Sequence, residues 1–264
     1  MKSRISIHES LFLILGAFVG LALLVEGQYL AWTVFGITSV YAGLVRFTLT
    51  SDKVRLIAAY AVAWAFYAGS TPLVEALSVP LQHQELLAAD SVLHMPWTGT
   101  LPAWANDILS AGYLSYHVYL HWACIDALFR DPTWRLAMSR RLFTAFGVGF
   151  VGYLTFPAAP PVQAFPELFT LALAGGPITA WNASLNAAMA ARYDAFPSLH
   201  LLITLMLLSW DFRRYRFRFW LMVLPSILMA VATLALRLHY TADLIAALVL
   251  FACLHVFFER NQTA

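Results

Sequence analysis

The sequence has few charged residues and few cysteines, and both shortages narrow what the protein can be. Charged residues occupy 11% of the 264 positions, whereas a soluble domain carries about 25%. With 61% hydrophobic residues and a mean hydropathy of +0.72, the chain is predicted to be an integral membrane protein surrounded by lipid. Its two cysteines lie inside apolar runs and have neither the spacing of a metal site nor that of a disulfide framework.

Basic residues are also scarce outside the segments that flank the apolar runs. The chain has no basic stripe of the kind that contacts nucleic acid, so a net charge of +2 gives no indication of a nucleic-acid partner. It also lacks internal repeats, low-complexity tracts and any segment polar enough to form a soluble domain. What remains is a series of long apolar runs interrupted by short polar clusters.

The apolar runs predict an all-α, polytopic membrane bundle of about eight transmembrane helices. Several runs are shorter than the roughly 20 residues that cross a bilayer, which is expected where a helix begins inside the bundle. The first run resembles a signal peptide, but no small-residue cleavage site follows it, so we expect an uncleaved helix. The runs lie at about 10–26, 29–46, 56–79, 105–129, 142–158, 198–212, 218–237 and 240–258.

Positive charge is distributed unequally between the two sides of this predicted bundle. With the N-terminus in the cytoplasm and eight crossings, 14 of the 16 Lys and Arg residues fall in cytoplasmic segments, Lys2 and Arg4 among them. Only Arg192 and Arg237 fall on the opposite side. Because cytoplasmic loops carry the excess of Lys and Arg, we expect both termini to be cytoplasmic, in a membrane such as the bacterial inner membrane.

Two short polar clusters lie on the predicted extracytoplasmic side, each at the edge of an apolar run. They are Phe-Pro-Ser-Leu-His at 196–200 and Arg-Leu-His-Tyr-Thr-Ala-Asp at 237–243. Ionisable groups in such places are costly to bury, so they are functional candidates. A loop of about 40 residues precedes the first cluster, and its apolar spacing over 178–191 favours an amphipathic helix at the interface. That helix either roofs a site or simply belongs to the surface of the loop.

The residue types in these clusters suit phosphoryl transfer through a histidine. His239 and Asp243 are four residues apart and therefore share one helix face. The carboxylate would hold one ring nitrogen and leave the other free to attack, while His200 could protonate a leaving alkoxide. Hydroxyl, free backbone amides and guanidinium groups can bind the phosphate oxygens, and the candidates are Ser198, Arg192 and Arg237.

Other interpretations of the same residues stay open at this point. A histidine in an apolar helix is often a hydrogen-bonded structural residue. His200, His239 and Asp243 could also form a facial metal triad, although Arg237 beside them would oppose a cation. A transporter could use His and Asp as a proton relay. Polar residues would then lie near the middle of several spans, whereas here they gather at one face, which favours an enzyme.

A weaker set of candidates lies on the run 105–129 and in the outer loop before it. Tyr113, His117 and His121 follow a spacing of four residues and form one polar stripe. Together with Tyr116 and Asp90, they are candidates for a headgroup pocket. The alternative for the stripe is hydrogen bonding between helices, and for Asp90 it is a capping or interfacial role.

The two clusters resemble the type 2 phosphatidic acid phosphatases and related lipid phosphotransferases. The resemblance is carried by Pro-Ser-Leu-His at 197–200 and His-Tyr-Thr-Ala-Asp at 239–243. Ala232 and Thr233 stand where most members have Ser-Arg, and no Lys-x6-Arg-Pro element exists. Phe-Pro-Ala-Ala-Pro-Pro at 156–161, with Phe-Pro-Ser-Leu-His, resembles the inositol phosphorylceramide synthase branch instead.

The resemblance implies a function and an architecture. It implies that His239 becomes a phosphohistidine, that Asp243 orients it and that His200 is the general acid, with no metal and no other cofactor. It also implies a phospholipid or lipid phosphate donor with an alcohol, sphingoid or water acceptor. Tyr240, which lies within the second cluster, is a further candidate for binding the substrate phosphate. Residues 51–264 would be a six-helix catalytic core, and 1–50 two additional transmembrane helices.

Overall fold

The chain folds into a bundle of α-helices. The computed structural model describes residues 5–46, 51–93 and 101–261, so Lys2 and Arg4 lie outside the described residues. Within these ranges the all-α prediction is confirmed, because no β-strand is present. The helices are α1 Ile7–Val25, α2 Leu30–Arg46, α3 Asp52–Ala76, α4 His83–Val92, α5 Ala103–Phe129, α6 Pro132–Thr155, α7 Pro161–Ala164, α8 Pro177–Met189, α9 Leu199–Arg214, α10 Arg216–Ala235 and α11 Thr241–Arg260.

Each predicted apolar run corresponds to one long helix. In the described part of the chain, α1, α3, α10 and α11 are long and apolar enough to cross a membrane, and the shorter α2 is also apolar. The largest difference is in α6, which begins at Pro132 rather than near residue 142. Asp131 starts it there by accepting a hydrogen bond from the backbone N–H of Trp134 at 2.9 Å, and such a cap contributes about 1 kcal/mol.

Buried ion pairs join helix ends at the end of the bundle opposite the two polar clusters. Arg218, at the start of α10, donates two hydrogen bonds of 2.7 Å to Asp211 near the end of α9, and both side chains are fully buried. Glu9 of α1 pairs in the same way with Arg55 of α3. Removing one partner of such a pair leaves a buried charge and costs roughly 3–5 kcal/mol.

Two glycines of α6 let that helix approach the start of α9 closely. A Cβ atom at Gly149 would lie 2.2 Å from the Leu199 side chain, and one at Gly152 would lie 2.2 Å from the Pro197 ring. At Gly152 a larger residue would push the helices apart, because the Pro197 ring and the Phe196 carbonyl oxygen cannot turn away. The glycines therefore fix the depth at which the first turn of α9, with the first polar cluster, is held in the bundle.

Candidate active site

His200 lies in the first turn of α9, directly after Leu199, the first residue of this helix. Ser198 is the N-cap, and its Oγ accepts a hydrogen bond from the backbone N–H of Leu201 at 3.4 Å. The backbone N–H of Ser198 donates to the carbonyl oxygen of Asp243 at 3.4 Å. This contact fastens the start of α9 to the first turn of α11, so the two predicted clusters meet.

The turn at the end of α10 places the second cluster. The N–H groups of Leu238 and His239 both donate to the carbonyl oxygen of Thr233 at 2.9 Å, and that of Arg237 donates to Leu234 at 2.9 Å. This is the Schellman arrangement that closes many helices. Arg237 takes the left-handed position, with φ at 64°, which costs a residue other than glycine about 1–2 kcal/mol. The turn places His239 two residues before the start of α11.

Both ring nitrogens of His239 have defined neighbours. Nδ1 lies 2.9 Å from the carbonyl oxygen of Ala195 and 3.3 Å from Oδ2 of Asp243. A carbonyl oxygen only accepts, so Nδ1 carries the proton and Nε2 of the neutral ring keeps a lone pair. Nε2 in turn lies 3.4 Å from Nδ1 of His200. The tautomer needed for attack by Nε2 is thus fixed, and the shorter of its two contacts is to a backbone carbonyl.

Asp243 is fully buried and holds more than the imidazole. Its Oδ2 also accepts the backbone N–H of Tyr240 at 2.8 Å. Asp243 lies in the first turn of α11 and His239 lies just before that helix. The carboxylate therefore holds both the start of α11 and the His239 ring. His200 and Asp243 approach opposite nitrogens of His239, which argues against the facial metal triad, and no metal-binding group of three His, Cys, Asp or Glu occurs among the described residues.

Asp90 supports the same helix start from the outer helix α4. Its two carboxylate oxygens accept the backbone N–H groups of Thr241 and Ala242 at 2.9 and 3.0 Å. Burial raises the pKa of Asp90 above its ordinary value, and these two donors oppose that shift. The structure therefore places Asp90 as a cap of α11. Its suggested contact with a headgroup stays a prediction.

A cavity of about 870 Å³ reaches His200 from between α3, α5, α8 and α10. Sites for small molecules are usually concave, mostly apolar and of this size. Three residues of the predicted headgroup pocket lie near His200. Tyr113 and His117 line the cavity, and the rings of Tyr113 and Tyr116 each have their centre 4.6 Å from that of His200. His121 lines the same cavity.

Helix α8 covers this cavity from the side of the long loop. Its beginning is tied to α5, because Asp107 accepts the backbone N–H groups of Gly176 and Thr179 at 3.0 and 2.9 Å. The apolar residues that predicted an amphipathic helix all line the cavity, and they are Ile178, Trp181, Leu185 and Met189. Of the two interpretations of this segment, the structure supports the helix as a roof.

The two predicted phosphate-binding arginines lie in different surroundings. Arg192 has 67% of its side chain exposed and lies 3.9 Å from the Glu75 carboxylate. Arg237 is buried, and its Nη1 donates to the carbonyl oxygen of Leu171 at 2.9 Å while the guanidinium covers the Phe169 ring. The contact of Arg192 is therefore to α3, whereas those of Arg237 are to the long loop. Their role toward a phosphate stays a prediction, as does that of Ser198.

Sequence reasoning missed the backbone framework around His239. The N–H of Ala195 donates to the carbonyl oxygen of Ala158 at 3.0 Å, and the hydroxyl of Tyr240 donates to that of Ala159 at 3.1 Å. Burial raises the pKa of the Tyr240 phenol, so it remains a donor. The Pro-rich string at 156–161 is therefore the support of the site. The Pro-rich string is visible in the sequence, but its hydrogen bonds to Ala195 and Tyr240 are not.

Comparison with known proteins agrees with this geometry. A family model described as the PAP2 superfamily matches residues 84–257, about two thirds of the chain, and the matched region includes both polar clusters. Membership of that superfamily indicates a lipid phosphatase or phosphotransferase. The match stops at the superfamily and gives no support to a particular branch such as the inositol phosphorylceramide synthases. No curated protein and no solved structure matches the chain.

Proposed function

We propose that this chain, which belongs to the PAP2 superfamily, cleaves the phosphate ester of a membrane lipid through a phosphohistidine on His239 and transfers the phosphoryl group, bare or substituted, to an alcohol. One observation carries the proposal. His239 is held as the tautomer with a bare Nε2, and this atom faces His200 at 3.4 Å. A structural histidine has no need of a second histidine at its free nitrogen.

The reaction would proceed in two displacements. In the first, the Nε2–P bond forms, the bond from phosphorus to the lipid oxygen breaks, and protonated His200 gives a proton to that oxygen. In the second, the acceptor oxygen attacks phosphorus, the Nε2–P bond breaks, and His200 takes the proton of the acceptor hydroxyl. Asp243 stabilises the positive charge that the His239 ring carries between the two steps.

The cavity supports a lipid as the donor. It is lined mostly by apolar side chains and reaches His200, so a substrate with its phosphate between the histidines can place a hydrocarbon chain beside α5 and α10. A phospholipid or a lipid phosphate fits this description, whereas a water-soluble phosphate ester leaves the cavity unused. Burial of a chain would contribute about 25 cal/mol for each Å² of apolar surface removed from water.

The choice of acceptor separates a transferase from a phosphatase. Transfer to an alcohol requires that water be kept from the phosphohistidine, and His239 is buried to 95%, with 5% of its surface exposed. The resemblance of the Phe-Pro-Ser-Leu-His string to inositol phosphorylceramide synthases also favours transfer, to a sphingoid or another lipid alcohol. Hydrolysis, with water as the acceptor, is the alternative outcome of the same chemistry.

We also propose the placement of this site in the membrane. Among the described basic residues of the predicted cytoplasmic set, Arg55 and Arg218 lie at helix starts and form buried ion pairs, and Arg141 pairs with Glu259 at the end of α11. The histidines lie at the other end of the bundle. By the positive-inside rule, the termini are then cytoplasmic and the site faces the extracytoplasmic side, with residues 51–264 as the catalytic core behind two added helices.

The test is a product analysis with purified protein in detergent. A panel of phospholipids and lipid phosphates is incubated with and without an added alcohol or sphingoid acceptor, and free phosphate and new phospholipids are followed together. A new phospholipid that depends on the acceptor is the result we expect. Phosphate release without a new lipid would establish the phosphatase. Absence of both products would refute the proposal and favour the interpretation of the chain as a transporter.

Replacement of Arg237 by lysine tests its proposed contact with phosphate. We expect the KM for the donor lipid to rise roughly tenfold, because lysine keeps the charge but loses the two-pronged guanidinium. Arg192→Lys is the matched variant at the exposed position. A lower melting temperature with an unchanged KM would instead assign Arg237 to the support of the loop through Leu171.

Narrowing the cavity tests whether it holds the chain of the substrate. Ala111 lines the cavity, whereas Ala103 on the same helix does not. We expect Ala111→Trp to raise the KM for long-chain lipids by roughly tenfold and to leave a short-chain, water-soluble phosphate ester unaffected, because only the long chain needs the space. Ala103→Trp is the control for both substrates. Equal effects on both substrates would show that the chain lies elsewhere.

A further inference from the structure

A second buried carboxylate directly precedes the residue whose carbonyl oxygen holds His239, and it has no part in the reaction as described. Asp194 belongs to the segment that leads from α8 to α9, and only 8% of its surface is exposed. The hydroxyl of Tyr67 on α3 donates to its Oδ2 at 2.8 Å, and the same hydroxyl accepts the backbone N–H of Ala191 at 3.2 Å. Tyr67 therefore holds both ends of this short segment, and its ring lines the cavity.

The segment held by Tyr67 is the one that fixes the ring of His239. Asp194 is followed by Ala195, whose carbonyl oxygen accepts the proton of His239 Nδ1 at 2.9 Å. Ala195 is anchored on its other side, where its N–H donates to the carbonyl oxygen of Ala158. A shift of Asp194 would therefore move the carbonyl that sets the tautomer of His239.

Asp194 also acts on His239 through its charge. Burial raises the pKa of the Asp194 carboxyl, while the charge of His239 and the Tyr67 hydrogen bond oppose the rise. Burying a carboxylate with few partners is costly. The free-energy cost of burying the Asp194 carboxylate is offset most when His239 is positively charged.

We infer that Asp194 is a positioning residue for His239. Asp194 holds the His239 ring through the Ala195 carbonyl, and its negative charge stabilises that ring when it is phosphorylated and cationic. The inference rests on the proposed function. When the Nε2–P bond forms, Nδ1 keeps its proton and the ring becomes a cation. Asp243 and Asp194 then supply two negative charges near that cation, and in a site screened from water such fixed charges lower the barrier to its formation.

Several other titratable groups surround Asp194 and His239, and they can contribute to the pH dependence of the reaction. Tyrosines of three helices are near enough to feel the charge of Asp194. They stay neutral in the working range because phenols titrate near pH 10 or above. His200 and Asp243, which contact opposite nitrogens of the His239 ring, are the other titratable groups near this pair. The full set is Tyr67 of α3, Tyr113 of α5, Tyr153 of α6, His200 of α9, Asp243 of α11, and His239 itself.

The test replaces Asp194 by asparagine, which keeps the shape and an oxygen that can accept the Tyr67 hydroxyl. We expect phosphoenzyme formation to slow by roughly 10- to 100-fold, because one of the charges that stabilise the cation is lost. We also expect the acid limb of the pH profile of kcat/KM to move to lower pH. Without the nearby negative charge, His239 loses its proton more readily and is ready to attack at lower pH.

Tyr67→Phe is the matched variant, because it removes the hydrogen bond and leaves the charge. It should slow the reaction less than Asp194→Asn and leave the acid limb in place. Asp194→Asn is expected to fold. A carboxyl whose pKa is raised on folding loses stability as pH rises through that value, and the amide does not. Its melting temperature at neutral pH should match or exceed that of the wild type.

The outcomes separate this inference from the proposed function. If the wild type forms no phosphoenzyme with any donor, the proposed function fails. If the wild type forms it and Asp194→Asn keeps both the rate and the acid limb, the inference alone is overturned. A slower Asp194→Asn enzyme with an unmoved acid limb also overturns it, because a purely structural role gives that result.

Discussion

Replacement of His239 by alanine is expected to lower kcat by roughly 10⁴-fold or more and to abolish the phosphoenzyme. Loss of a nucleophile removes the covalent route entirely, and comparable losses follow when the nucleophile of other enzymes is deleted. The phosphoenzyme is measured by brief reaction with a labelled donor lipid followed by quenching in alkali, in which a phosphohistidine survives. Folding is followed in parallel by the melting temperature in detergent.

His255→Ala is the matched control for this variant. His255 lies on the same helix as Asp243 but near its opposite end, and its ring contacts Phe251 rather than the site. We expect it to keep the activity and the label of the wild type. A His239→Ala enzyme that still forms a labelled, alkali-stable phosphoenzyme would place the nucleophile on another residue, with His200 the first candidate.

The sequence was sufficient to predict that three of the candidate side chains meet. His200, His239 and Asp243 are separated by up to 43 positions, yet their motifs and apolar surroundings placed them on one side of the membrane, and the fold brings them into contact. The part that escaped prediction is backbone. The Ala195 carbonyl is a better-placed acceptor for His239 than Asp243 is, and no side-chain pattern reports the direction of a carbonyl group.

Helix ends were harder to predict than helix positions, for a reason visible in α6. Hydropathy locates the part of a helix that lies in hydrocarbon, whereas the ends are set by caps and by polar partners. Arg135 donates to the carbonyl oxygen of Ala127 at the end of α5, and Arg141 pairs with Glu259 of α11. These arginines extend α6 by ten residues beyond its apolar run, because their partners come from distant parts of the chain.

Arginine roles were the least predictable feature. Closeness in sequence suggested that Arg192 and Arg237 flank the phosphate. In the fold, the turn that requires Arg237 in the left-handed position also fixes the direction of its side chain, toward Leu171 and Phe169. A backbone conformation that sequence statistics assign to glycine therefore decides where this charge lies.

Replacement of His200 by alanine is the second prediction with a large effect, and its size should depend on the leaving group. With a natural lipid alcohol, we expect kcat/KM to fall by roughly 10²- to 10⁴-fold, the usual contribution of a positioned general acid. With a p-nitrophenyl ester of the same lipid phosphate, the first step should be nearly unaffected, because p-nitrophenolate leaves without a proton. The measurement is the initial burst of p-nitrophenol beside turnover of the natural donor.

The same variant distinguishes the acid role of His200 from a structural one. His200 packs against the rings of Tyr113 and Tyr116, so its removal could disturb the pocket itself. A disturbed pocket would slow both substrates alike, whereas a missing acid slows only the donor whose leaving group needs a proton. With the p-nitrophenyl ester, the burst should persist and the second step should slow, since His200 also takes the proton of the acceptor. Equal loss of the burst and of natural turnover would therefore remove His200 from proton transfer and leave His239 to act with another acid.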